Sequence, residues 1–158
     1  MKNSNFIGVG GLLYYNNGYL LVRHSYGEYN NMWIIPGGHV NSGEHLHKAV
    51  EREVYEETGV STTATNIVAV RSRQRSTKSL DCYIVFLLTY NCGNPTSDGF
   101  ENSAVEFFTY KEVVRMENII PLTKILIQQH HESKLNNLQK VTSQEPYTND
   151  NSKLTLYL

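Results

Sequence analysis

The chain has 158 residues, 40% of them hydrophobic and 18% charged, with a formal net charge of −1. That composition fits one globular domain with its own core and argues against a disordered chain. The near-neutral charge argues against a broad nucleic-acid or membrane-binding face, leaving room for a local basic patch. The two cysteines, Cys82 and Cys92, lack metal-ligand spacing and are too few for a disulfide framework. The N-terminus, Met1 to Phe6, has no apolar signal region. The longest apolar stretch, around Cys82 to Leu88, is too short to span a bilayer. The expected location is therefore the cytoplasm.

In chain order, Phe6 to Tyr15 reads as a strand, Asn16-Asn17-Gly18 as a hairpin turn and Tyr19 to His24 as the returning strand. After a polar loop, Trp33-Ile34-Ile35 reads as a short strand stopped by Pro36-Gly37-Gly38. Asn41-Ser42 offers an N-cap for a helix from about Glu44 to Thr58, closed by Gly59. Thr65 to Arg73 and Leu80 to Tyr90 form a second strand pair around a polar, basic turn, Ser72 to Ser79. A loop follows, then a strand from Val105 to Tyr110 and a short helix from Lys111. Pro121 opens a last helix to about Leu138, with Leu122, Ile125, Leu126 and Gln129 spaced along one face. The expected division is a domain over 1–140 and a polar extension over 141–158. The end of that extension, Lys153 to Leu158, suits an edge strand or a dimer contact. The order implies an α/β fold with a mixed sheet.

The helix ending at Gly59 carries the chemistry. Glu53, Glu56 and Glu57 stand at i, i+3 and i+4, on one face. Like charges at that spacing repel, and carboxylates sit badly at the negative end of a helix. A divalent cation reverses both penalties, so the segment reads as a metal site. Helical geometry also puts Glu53 and Glu57 on the side of Leu46 and Val50, the core-facing stripe. A solvated charge run would face the other way.

Gly38, Glu44, Arg52-Glu53, Val54, Glu56-Glu57, Gly59 and Val60 complete the pattern Gly-x5-Glu-x7-Arg-Glu-(apolar)-x-Glu-Glu-x-Gly-(apolar). A chance match in a chain this long is on the order of one in ten million. The stretch resembles the signature of the Nudix hydrolases, MutT-like enzymes that cleave a nucleoside diphosphate linked to another group. Trp33-Ile-Ile-Pro-Gly-Gly38 resembles the family's usual lead into it. The resemblance implies an α/β/α sandwich and hydrolysis of a phosphoanhydride with Mg²⁺ or Mn²⁺. The substrate could be a nucleoside triphosphate, ADP-ribose or another nucleotide sugar. It also implies Glu56 and Glu57 as metal ligands and Glu53 as a ligand or the residue handling the water. Arg52 would orient a catalytic glutamate, Glu44 would pair with Arg52 or favour the helix start, and the Gly38 carbonyl could be a further ligand.

Glu106, before an aromatic, resembles the position of a further acidic ligand or base, with Glu101 as its competitor. Arg23 ends a strand that in the family runs toward the phosphates. Arg71, Arg73 and Arg75 share a strand face, where they could hold a polyphosphate or keep an edge soluble. Tyr83 and Phe107 are candidate base-stacking residues, and His24 flanks the expected cleft. The expected partner is a small nucleotide, acted on by a monomer or homodimer. No membrane partner is expected, and nucleic acid is expected only as a 5′-phosphorylated RNA end. The alternative is a non-catalytic nucleotide or ADP-ribose sensor, against which the intact signature argues.

Overall fold

The computed structural model describes residues 5–76, 79–141 and 156–157. Its elements are β1 (Phe6–Tyr15), β2 (Gly18–His24), β3 (Trp33–Ile34), β4 (Gly37–His39), α1 (Leu46–Thr58), β5 (Ser61–Ser76), β6 (Ser79–Cys92), β7 (Asn102–Phe108), α2 (Tyr110–Arg115), α3 (Pro121–His131), β8 (Leu138–Val141) and β9 (Leu156–Tyr157). The main strand order is β3-β2-β1-β6-β5-β8-β9, with β4 also on β1 and β7 also on β2. β1 runs parallel to β6, and the other pairings are antiparallel. No helix of the described residues is long and apolar enough to cross a membrane.

Strand alternation makes two cores. Val9, Leu13, Phe86 and Leu88 point to one face and meet Ala49, Val50 and Val54 of α1. Leu12 and Val85 point to the other and meet Val113 of α2 with Leu126 and Ile127 of α3. Each of these side chains larger than Ala49 contributes about 1.5–3 kcal/mol by leaving water. The result is the expected α/β/α sandwich.

The hairpin forms as read, with Asn16 and Asn17 at φ +47° and +64°, the left-handed pair that a tight hairpin turn requires. Other boundaries differ. Gly37–Gly38 does not stop the chain but pairs with β1, Gly37 opposite Gly10. α1 begins at Leu46, without a side-chain cap. Glu44 stays outside it because its carboxylate accepts from the Asn41 amide (3.0 Å) and from Arg52. β5 extends through the expected turn to Ser76, since its cross-strand pairing with β6 continues.

α3 ends at His131 rather than near Leu138. Ser133 takes φ +55° and the Lys134 amide folds back to the Gln129 carbonyl (2.8 Å). Its buried face carries Thr123, Leu126 and Ile127, while Ile125 is 53% exposed, so the expected stripe is turned away from its true centre. Leu138–Val141 then adds β8 beside β5. β9 pairs with β8, and the rest of the segment after Val141 lies outside the described residues.

Beside α3's last turn, Tyr19 Oη lies 2.8 Å from His130 Nδ1. Burial, then the neighbouring His131, lowers the His130 pKa from 6.5, and burial raises Tyr19 to about 12. His130 therefore binds fewer protons in the native fold than in the unfolded chain. Its contribution is whole above about pH 6.5 and is lost as pH falls through the lowered value. Melting temperatures at pH 7.5 and 5.5 should show a smaller acid loss in His130→Gln than in the native chain.

Candidate active site

Glu57 is 4% exposed, on the buried side of α1 against β4. Its Oε2 accepts from the Gly37 amide (2.8 Å). Burial raises its pKa from 4.5 to about 7; the Gly37 amide and the Asn102 side chain oppose this, while the charges of Glu53 and Glu101 add to it. Glu53 lies against Gly38, where an added Cβ would stand 2.4 Å from Oε2. Glu56 is more open, its side chain 57% exposed.

Arg52 gathers this group. It donates to Glu44 twice (2.8 and 2.9 Å), to Glu53 (2.7 Å), to Glu56 (3.0 Å) and to the His39 carbonyl (2.9 Å). These bonds to Glu44 and its neighbours hold the guanidinium firmly protonated. They also lower the Glu44 pKa, against a smaller opposing effect of burial. Arg52 thus contacts Glu53 and Glu56 together, and Glu44 is its two-oxygen partner. The fork matches two oxygens of Glu44 at once, a geometry that lysine does not offer.

A cavity of about 270 Å³ opens beside Glu57, Gly37 and Gly38. Its apolar wall includes Val22, Ile35 and Leu122. Tyr83 lies across β1, close enough that a Cβ on Gly10 would meet its hydroxyl at 2.2 Å. His24, Tyr29, Arg71, Arg73 and Asp81 complete the polar lining. Arg71 and Arg73 both reach Asp81, at 2.8 and 2.9 Å.

The structure separates the remaining candidates. Arg73, Tyr83 and His24 line the cavity, but Arg23 does not. Arg23 points across the strand, packing over Trp33 and donating to Ser103 Oγ (2.9 Å). Glu106 is exposed opposite Leu21. Alternation puts it on the face away from Val105, whose cross-strand partner Val22 lines the cavity, so it is not brought to the glutamates. Its competitor Glu101 is the one whose charge reaches Glu57. Phe107 packs against the α1-side core and Tyr15, outside the cavity lining. Sequence reading missed Asp81 and Asn102. A lone aspartate between a polar turn and an apolar run gives no local signal, and only the register reveals its partners.

Among the described residues no three acidic, histidine or cysteine side chains are gathered closely enough to hold an ion as they stand. Arg52 engages Glu53 and Glu56, while Glu57 turns to the Gly37 amide. The donor set nevertheless fits a hard divalent cation. It consists of carboxylate oxygens beside bare glycine backbone, with one buried carboxylate raised in pKa and repelled by its neighbours.

The NUDIX domain model matches residues 5–130. ADP-ribose pyrophosphatase of Methanocaldococcus jannaschii is 28% identical over 111 residues, 70% of this chain and 65% of that protein. The chain spans 27% to 65% of the length of the curated relatives first matched. A NUDIX hydrolase from Nitrosomonas europaea superposes with a TM-score of 0.71 at 21% identity, covering 84% of this chain and 92% of that one. The NUDIX domain of Shewanella oneidensis NrtR, solved with ADP ribose, gives 0.69 at 20% identity, covering 82% and 88%. With four fifths of its length matched and the α1 carboxylates in place, the chain belongs to the Nudix family.

Proposed function

We propose that the protein hydrolyses a phosphoanhydride bond in a nucleoside diphosphate linked to another group, using Mg²⁺ or Mn²⁺. The observation that carries this is a buried carboxylate, Glu57, on the same helix face as Glu53 and Glu56, which share one arginine, beside a cavity of about 270 Å³. Glu53, Glu56, Glu57 and the Gly38 carbonyl would hold the cation, which supplies charge neutralisation on the phosphates and a water of lowered pKa. Arg52, anchored by Glu44, fixes the rotamers of Glu53 and Glu56. Burial of Glu57 beside the apolar wall lowers the local polarity at that carboxylate, which strengthens each charge interaction there. ADP-ribose, other nucleotide sugars and nucleoside triphosphates are the candidate substrates, and the cytoplasm the expected location.

Phosphate and pyrophosphate release should be measured over those substrates, dinucleoside polyphosphates and 5′-triphosphorylated RNA, with either metal. The expected result is turnover of one class, abolished by a chelator. No turnover anywhere, with tight ADP-ribose binding, would instead identify a sensor. A second outcome follows from the fork on Glu44: Arg52→Lys should lower kcat about 10–100-fold while the melting temperature changes little. An unchanged kcat would remove Arg52 from the machinery.

A further inference from the structure

The far side of the cavity holds a charge arrangement separate from the α1 carboxylates. β5 and β6 place Arg71 opposite Tyr83 and Arg73 opposite Asp81. All four therefore point to one face of the sheet. Asp81 is 3% exposed and accepts from both guanidiniums. Burial alone would raise its pKa, yet the two arginines hold it below the usual carboxylate range. Arg71 lies over the Tyr83 ring, 5.0 Å from its centroid. Arg73 is also drawn toward Tyr29.

Two arginines against one carboxylate leave a formal charge of +1. Each guanidinium has five N–H donors, and Asp81 takes only one from each. The group that completes this cluster is therefore an anion rich in acceptors. Asp81 is the buried anchor that sets both forks, while the arginines, 38% and 52% exposed, keep further N–H groups toward the cavity, the buried Arg71 Nε aside.

The register supplies the spacing. Asp81 is level with Phe6, Tyr83 with Gly8, and Gly37 with Gly10. Tyr83 is thus two strand positions from Gly37 and Asp81 four, about 7 and 13 Å along the sheet. The Tyr83 ring bridges this gap, its hydroxyl lying 3.0 Å from where a Gly37 Cβ would stand, and Arg71 lies over the ring between Asp81 and the end where Glu57 and Gly37 meet.

Resting on the hydrolase reading for the placement of the diphosphate, we propose that Arg71 and Arg73, positioned by Asp81, bind a second phosphate carried across a ribose from the scissile diphosphate. The cluster then selects nucleotides with a phosphorylated sugar over those without one.

The test is calorimetric and needs no turnover. Adenosine 5′-monophosphate is compared with adenosine 2′,5′- and 3′,5′-bisphosphate, in Ca²⁺, on the full chain. At least one bisphosphate should bind about tenfold tighter or more. In Arg73→Gln, at an exposed position that leaves the core intact, the ratio of affinities should fall toward one. Asp81→Asn separates positioning from bulk charge. It makes the cluster more positive, so mere attraction would tighten the bisphosphate, whereas loss of the anchor should weaken it. Equal affinity for all three nucleotides, or tighter bisphosphate binding in Asp81→Asn, would overturn the inference. Preferential binding without hydrolysis of any substrate would uphold this site and sink the hydrolase reading instead.

Discussion

Glu57→Gln should fold like the native chain and lose at least about 100-fold in metal-dependent turnover. The two halves of that result have separate causes. The native carboxylate is buried and repelled by Glu53 and Glu101, so its charge is held at a cost in the metal-free protein. An amide of the same shape removes that cost, and its oxygen still accepts from the Gly37 amide, now at 2.8 Å from the carboxylate. What disappears is the charge that a divalent cation needs. Melting curves and initial rates with Mg²⁺ check both parts. A variant with near-native rate would remove Glu57 from the site, and one that fails to fold would make it structural.

Gly37→Ala should do the opposite and cost several kcal/mol in stability. The new Cβ would stand 2.1 Å from the Val9 carbonyl oxygen and 2.7 Å from the Gly10 Cα. Both are backbone atoms of β1, so relief requires β4 to leave the sheet, in the range of the severest single substitutions. Gly38→Ala is the informative contrast. Its Cβ meets the far end of the Glu53 side chain, which can swing away. Gly38→Ala should therefore keep its fold and lose turnover through a displaced Glu53. Denaturant melts and rates on the two variants should separate. Equal stability for both would contradict the packing of β4 on β1.

The contrast shows why one part of this protein was readable from its residues and another was not. The α1 site was legible because its chemistry is local: three glutamates on one turn and a half, an arginine beside them and a glycine at the end. Helical geometry converts that spacing directly into a face. The hairpin at Asn16-Asn17 was legible for the same reason. β4 was not, because Gly37 and Gly38 read as breakers and their strand geometry comes from Gly8 to Gly10, far back in the chain. Glu106 and Arg23 were assigned by position along strands, but facing depends on register, and the pairing of β2 with β7 turns both away from the cavity. Asp81 was invisible for a related reason: its two arginines precede it by ten and eight residues and meet it only across a strand pair.

Binding of Mn²⁺, followed by electron paramagnetic resonance on the purified chain, tests most directly the claim that the α1 carboxylates hold a divalent cation. The account predicts saturable binding that Mg²⁺ competes away and that weakens about tenfold or more in Glu57→Gln. Binding of equal strength after Glu53, Glu56 and Glu57 are all replaced by glutamine would contradict it.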